Sequence, residues 1–212
     1  MLYKLAHILR DKFSWAWNLI EWVNALLFSW RYGRRLKGFA FTTVSEGYVI
    51  LPIREIATND LVAFFQRQPE EAYTYFHPHG FDEKSIRRLQ KNRAFLGYVL
   101  MDNTNKLIAG YCFNRCFFHG VGFRGRMVDI SYRGKGLGTA MNKMLNEVGF
   151  GIGLRLFETV SKDNVASYRS ALSASNVKVV KEMEGNEVYL EVVEGSFSDK
   201  RRKRPFGPSE RL

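Results

Sequence analysis

Apolar positions near the start of the chain recur every three or four residues. Leu2, Leu5, Leu9, Phe13, Ala16, Ile20, Val23 and Leu27 make a broad apolar sector, with Trp15, Leu19, Trp22 and Leu26 beside it. Lys4, His7, Asp11, Ser14, Asn18 and Glu21 make a narrow polar stripe. This 3.6-residue period predicts an amphipathic helix within residues 1–37. From residue 38 the rhythm shortens. A strand is expected over 48–54, with Pro52 placing it at an edge or a bulge. Asn59-Asp60 can cap a helix over 61–66, and a second helix runs from about 82 to 92. Strands over 95–102 and 106–117 read as a hairpin about Asn103-Thr104-Asn105, followed by a strand over 123–132. A helix over 141–148, a strand over 154–160, a helix over 164–174, and strands over 178–182 and 187–193 about Gly185-Asn186 complete the pattern. The pattern predicts a mixed α/β (α+β) domain over 38–194, with 1–37 as a helical extension and 195–212 as a basic, disordered tail.

Where the strand over 123–132 meets the following helix, the chain reads Arg133-Gly134-Lys135-Gly136-Leu137-Gly138-Thr139. Gly134, Gly136 and Gly138 remove Cβ atoms that would keep a ligand from the main chain. The amides of residues 136–139 then stand at the positive end of a helix, a natural seat for phosphate. A dinucleotide fingerprint would have its third glycine three residues after the second, but here it comes two after. A P-loop would carry Gly-Lys-Ser/Thr at the helix start, which is absent.

The glycine pattern resembles the acyl-CoA pyrophosphate loop of the GNAT N-acetyltransferase superfamily, and the element order over 48–193 is similar to that family's. The resemblance implies a central, mixed, mostly antiparallel twisted sheet flanked by helices, formed here by the seven predicted strands. It implies acetyl-CoA as cosubstrate, no metal, and direct attack of an amine on the thioester. Pyrophosphate would lie on Arg133, Gly134, Lys135, Gly136, Leu137, Gly138 and Thr139, and pantetheine on the main chain at Val128 and Ile130 and on Asn164. The family carries a Tyr seven residues after that Asn, but position 171 is Ala. Either Tyr168, one turn after Asn164, or water would protonate the leaving thiolate.

For the acceptor amine the expected pocket segment is 73–82, where His77 and His79 flank Pro78 among Tyr75 and Phe81. Imidazoles titrate near neutral pH, so His79 or His77 is a candidate general base, with Asp129 as the alternative and Tyr111 as a further lining residue.

Composition changes the picture at the two ends. At 212 residues, 46% hydrophobic and 15% aromatic, the chain can bury a full core without disulfides or metal. Its formal net charge is +11, but residues 1–38 hold seven Lys/Arg against two Asp/Glu, and 195–212 hold six against two. The basicity therefore says little about the pocket. All four Trp fall between Trp15 and Trp30, ahead of the basic run Arg31-Tyr32-Gly33-Arg34-Arg35-Leu36-Lys37. Such a helix suits a membrane surface, packing on the domain or self-association. Glu21 disfavours a span, because a charge near a span's centre costs about 2.5–3.5 kcal/mol. Lys200-Arg201-Arg202-Lys203-Arg204 reads as a solvated tail without specific nucleic-acid binding. Cys112 and Cys116, four apart in one strand, have Cα atoms about 13 Å apart, too far for a disulfide. No signal-peptide pattern is seen, and a cytoplasmic protein, peripheral on the inner membrane face, is expected.

The function these features imply is acetyl transfer to a small-molecule primary amine, a nucleotide-linked amino sugar of surface-glycan assembly being favoured. A peptide or protein amine comes next. A non-catalytic module binding membrane or polyanion through the basic ends is the alternative from another class.

Overall fold

The computed structural model describes residues 14–42 and 46–194, so the first turns of the expected helix and the basic tail lie outside the described residues. The described residues form α1 (Ser14–Lys37), β1 (Tyr48–Pro52), α2 (Thr58–Gln66), α3 (Glu83–Lys91), β2 (Phe95–Asp102) and β3 (Ile108–Phe117). They continue with β4 (Val121–Val128), α4 (Leu137–Ile152), β5 (Arg155–Ser161), α5 (Val165–Ala174), β6 (Asn176–Glu182) and β7 (Glu187–Val193). One sheet holds all seven strands in the order β1-β2-β3-β4-β5-β7-β6. Each junction is antiparallel except that of β4 with β5. The expected mixed, mostly antiparallel sheet is thus present.

The differences of three residues or more from the sequence expectation fall in three elements, each for a local reason. The strand expected to run to 132 stops at Val128, because the Asp129 side chain accepts from the Ser131 amide and turns Ile130–Tyr132 into a 3₁₀ turn. The helix expected at 141–148 is twice as long, Leu137–Ile152. It begins directly on the glycine loop, with Gly136 at its N-cap and Gly153 at its C-cap, both left-handed. The helix expected from 61 starts at Thr58, which places Asp60 in the first turn, where a carboxylate favours the helix dipole.

The sheet buries a face on each side. On one, α4 presents Met141, Met144, Leu145, Val148 and Ile152 to Leu100, Cys112 and Leu156. Each such side chain contributes about 1.5–3 kcal/mol on burial. On the other, α2 and α3 bring Leu61, Phe64, Phe65 and Ile86 against Phe95, Val99, Tyr111 and Phe113. Cys112 and Cys116 are buried free thiols.

Helix α1 is docked through the first of these cores by Phe28 and Tyr32, both buried. Polar anchors flank them. The Glu21 carboxylate pairs with Arg88 and Arg115, Asn24 bonds the main chain of Cys116 (2.9 Å) and Phe118 (3.0 Å), and Arg35 donates to the Ile152 carbonyl at 2.7 Å. The side facing the protein therefore includes part of the polar stripe.

Candidate active site

Strands β4 and β5 pair only from Val121 to Phe123 against Arg155 to Phe157. Beyond that point β4 stays on β3 and β5 stays on β7, so the sheet splits. The Arg155 amide donates to the Gly120 carbonyl at 2.9 Å. Strand alternation then turns the main-chain groups of Arg124, Arg126 and Val128 toward the widening gap, with no strand opposite among the described residues. A cleft of about 620 Å³ opens there. Its walls are residues 124–128 of β4 on one side and Glu158, Thr159 and residues 163–167 on the other, and it ends on Arg133, Gly134 and residues 136–139.

The loop has the geometry of an anion seat. Gly134 and Gly136 adopt φ of +78° and +77°, a region that side chains strain to enter, and the space where their Cβ atoms would stand is open. The amides at the start of α4 have no carbonyl within the helix to bond and lie at its positive end. Across the cleft, Asn164 caps α5 by accepting from the Ser167 amide at 3.1 Å, and it too lines the cavity.

At the base of the split, one step past the last paired residues, lies a buried charge cluster. Glu158, 3% exposed, accepts from Arg124 at 2.6 Å and from Arg126 at 3.2 Å. Burial alone would raise the Glu158 carboxyl. The charges of the two guanidinium groups and their hydrogen bonds outweigh it, and the group is held below the usual carboxylate range. Arg126 also donates to the Ser167 carbonyl at 2.8 Å, tying β4 to α5 across the cleft. Two cations around one anion leave the base of the cleft positive.

A second cavity of about 900 Å³ lies beyond this cluster. Trp17, Leu19, Ile20 and Val23 of α1 form one wall, and Phe113, Phe117, Phe118 and Phe123 form the other. Both cavities are lined by Tyr75, Phe76, Arg124, Gly125, Glu158 and Thr159. They meet at the charge cluster.

Residues 53–171 match the Acetyltransferase (GNAT) family. The chain belongs to this family. It is an acyl-CoA-dependent N-acyltransferase by membership, and none of the curated protein sequences matches it. Among solved structures it is similar to the GNAT domain of S. lividans PAT, at 15% identity and a TM-score of 0.58, covering 68% of this chain and 89% of that one. It is also similar to a ribosomal-protein-S5-alanine acetyltransferase from Vibrio fischeri, at 17% identity and a TM-score of 0.57, covering 72% and 93%. A third is the Campylobacter jejuni N-acetyltransferase PseH, at 10% identity and a TM-score of 0.52, covering 70% and 99%. At these identities the three share its fold.

In this GNAT enzyme Val128, Arg133, Gly134, Gly136, Leu137, Gly138, Thr139 and Asn164 all line the cleft. Lys135 and Ile130 do not. The Lys135 ammonium sits over the Tyr132 ring, 4.8 Å from its centre, and the Ile130 amide donates to Gln68 at 3.1 Å. Asp129 is committed elsewhere. Its carboxylate accepts from Arg67 (2.6 Å), Gln68 (2.8 Å) and the Ser131 amide (2.9 Å), and the net effect holds it low despite burial, so it latches the loop entry to the end of α2 rather than serving as a base. Tyr168 lies outside the cleft lining and packs with Val160, Ala171, Val188 and Leu190.

On the acceptor side, His77 and Tyr75 line the second cavity, whereas His79, Phe81 and Tyr111 do not. The His79 ring lies edge-on to Phe65, Phe95 and Tyr111. Its nitrogens meet the Gly80 carbonyl at 2.9 Å and the Tyr111 hydroxyl at 2.8 Å. Burial lowers its pKa to about 4, so the imidazole is neutral and fully bonded. Arg124, Arg126, Glu158 and the α1 wall are site residues that the sequence expectation omitted. A charge within the apolar run Leu156-Phe157-Glu158 was the available signal.

Proposed function

We propose that this enzyme acetylates the primary amine of an amino sugar held on a carrier, a nucleotide-linked sugar being one such form. The carrying observation is that the two cavities meet at the Glu158 cluster, so a donor held in one and an acceptor held in the other can come together there. The cleft fits acyl-CoA: it joins an anion seat with left-handed glycines to a strand edge whose main-chain groups have no strand opposite. Bound acetyl-CoA supplies a thioester whose carbonyl carbon takes the amine nitrogen as the carbon–sulfur bond breaks.

The chain's own groups then have separable tasks. The loop amides and Arg133 hold pyrophosphate, and the main chain from Arg124 to Val128 orients the arm. The surplus positive charge of Arg124 and Arg126 favours negative charge developing at the carbonyl oxygen and the leaving sulfur, in a site largely closed to water. With Tyr168 packed away from the cleft, water protonates the thiolate. His77, exposed at the rim of the second cavity, takes the proton from the incoming ammonium. An amino sugar suits this cavity because its apolar ring face can lie on Phe113 and Phe123 while Glu21, Arg115 and His119 meet its hydroxyls. The free buried thiols support a location in the reducing cytoplasm.

Calorimetry with acetyl-CoA on the wild type and on Gly138→Asp tests the donor site. Position 138 needs no left-handed torsion, and the added acidic side chain would start 3.3 Å from Ser170 Oγ, among residues that line the anion end of the cleft. Micromolar binding that weakens at least tenfold in the variant is expected, and no binding to the folded wild type would overturn the reading. For the acceptor, transfer to amino sugars with roughly hundredfold loss in kcat/KM on His77→Ala is expected. Turnover confined to peptide amines would replace the sugar assignment.

A further inference from the structure

Seen down the helix at about 100° per residue, Trp15, Leu19, Trp22, Leu26 and Trp30 of α1 share one sector about 80° wide. Its tryptophans point away from the domain, Trp15 being 69% exposed, Trp22 59% and Trp30 84%, while Leu19 also borders the second cavity. Phe28, Tyr32, Glu21 and Asn24 hold the opposite side to the protein. Between these sides Ile20 and Val23 face the second cavity, while remaining partly open to solvent. One helix therefore presents a tryptophan stripe with no partner among the described residues and, around its flank, the apolar wall of the acceptor chamber.

We propose that the carrier of the acceptor is a lipid, and that α1 seats the enzyme on an anionic bilayer so that the lipid's apolar chain enters the chamber with its amine at the Glu158 cluster. The occupant follows from chemistry. Tryptophans prefer the boundary between headgroups and acyl chains. Of the cations in its last two turns, Arg34 and Lys37 lie at or beside the stripe, where anionic headgroups would meet them, while Arg31 and Arg35 donate to the Phe118 and Ile152 carbonyls. The sole acid of α1, Glu21, is neutralised against the domain by Arg88 and Arg115. Among the described residues no helix is long and apolar enough to cross a membrane, so α1 rests on the surface. A chamber of about 900 Å³ walled by Leu19, Ile20, Val23, Phe117 and Phe118 exceeds what a single sugar fills, and its walls suit an alkyl chain better than a nucleotide.

The amine's fate rests on the acyl-transfer reading, but the lipid can be tested by binding alone. Calorimetry on the full chain loaded with CoA would compare octyl glucosaminide, glucosamine and UDP-glucosamine. The octyl compound is expected to bind at least tenfold tighter than glucosamine, with the gain lost in Ile20→Asn/Val23→Asn. Equal binding of the first two, or tightest binding of the nucleotide sugar, would overturn the lipid assignment. Sedimentation with phosphatidylcholine vesicles, with and without half phosphatidylglycerol, tests the seat. The anionic vesicles should hold the wild type and release Trp22→Glu/Leu26→Glu at least tenfold, with acetyl-CoA binding unchanged because both positions are exposed. Wild type left in the supernatant, equal retention of the variant, or a dimer by light scattering that the variant dissociates would overturn it. Octyl binding and vesicle retention without acetyl transfer would sink the acyl-transfer reading and leave this inference standing.

Discussion

His79 sits where its neutral ring is needed, between the Tyr111 hydroxyl and the Gly80 carbonyl in a nest of aromatics. Its pKa is lowered from 6.5 to about 4, mainly by burial. The unfolded chain therefore binds a proton there at higher pH than the folded one. The stabilisation is complete above about pH 6.5 and is lost as pH falls toward 4, at about 1.4 kcal/mol per pH unit. Urea midpoints of the wild type should fall across that window, and His79→Gln should flatten the slope whatever its stability at pH 7. An unchanged slope would assign the loss to another group. Asp129 and Glu158, both held below the ordinary carboxylate range, begin to add their losses as pH falls through about 5 toward their ordinary values of 3.8 and 4.5. At the charge cluster, Arg126→Met should lower kcat about a hundredfold with a smaller change in acetyl-CoA affinity, because its charge matters most as negative charge develops. Equal loss in both would give Arg126 a binding role instead. The pyrophosphate loop was legible because three glycines in five residues are a local signal. The base of the cleft was not, since Arg124, Arg126 and Glu158 come together only when two strands distant in sequence run parallel for three residues and then part.

At the scale of the element, α1 shows where periodicity stops being informative. The spacing of its apolar positions identified a helix, but a broad apolar sector can face either the protein or something outside it. Tertiary contacts decided the matter: Phe28 and Tyr32 dock, Glu21 and Asn24 find charged and main-chain partners, Trp17 faces the second cavity, and Trp15, Trp22 and Trp30 are left outward. Phe28→Ala should therefore cost about 3–4 kcal/mol in urea unfolding, as expected for a phenylalanine at 0% exposure. Trp30→Ala should change stability by less than about 0.5 kcal/mol. Comparable losses in the two would mean that the outer stripe is covered by protein in solution. The shorter elements were legible nearly to the residue, and β2 and β7 have the bounds that alternation predicts. The errors gathered at the cleft, where β4 ends early and α4 begins early. There the Asp129 latch and the glycine loop override propensity.

Across the whole molecule, the split sheet creates both the site and a mechanical weakness. The order of strands and helices was readable from the sequence because each connection carries its own turn residues, whereas the point at which β4 leaves β5 has no local signature. Three paired residues join β1 to β4 with the unit of β5, β6 and β7. The Arg124–Glu158 pair, the Arg126–Ser167 bond and the packing of α4 supplement them. Acyl-CoA in the cleft would touch β4 and the loop on one side and Asn164 on the other, so its binding energy adds to the force holding the two units together. At a ligand concentration of 100 Kd the stabilisation is about 2.7 kcal/mol, or a rise of about 5–10 °C in Tm for a domain of this size. Hydrogen exchange should slow in α5 and β5 as well as in the glycine loop, since a ligand bridging both walls suppresses opening of the split. Protection confined to the loop would show that the ligand rests on one wall alone, leaving Asn164 without a part in binding. Protection of both walls would make the Arg126→Met variant, which cuts the bond to Ser167, gain less thermal stability than the wild type at the same acetyl-CoA concentration, because part of the binding energy then goes into closing the split.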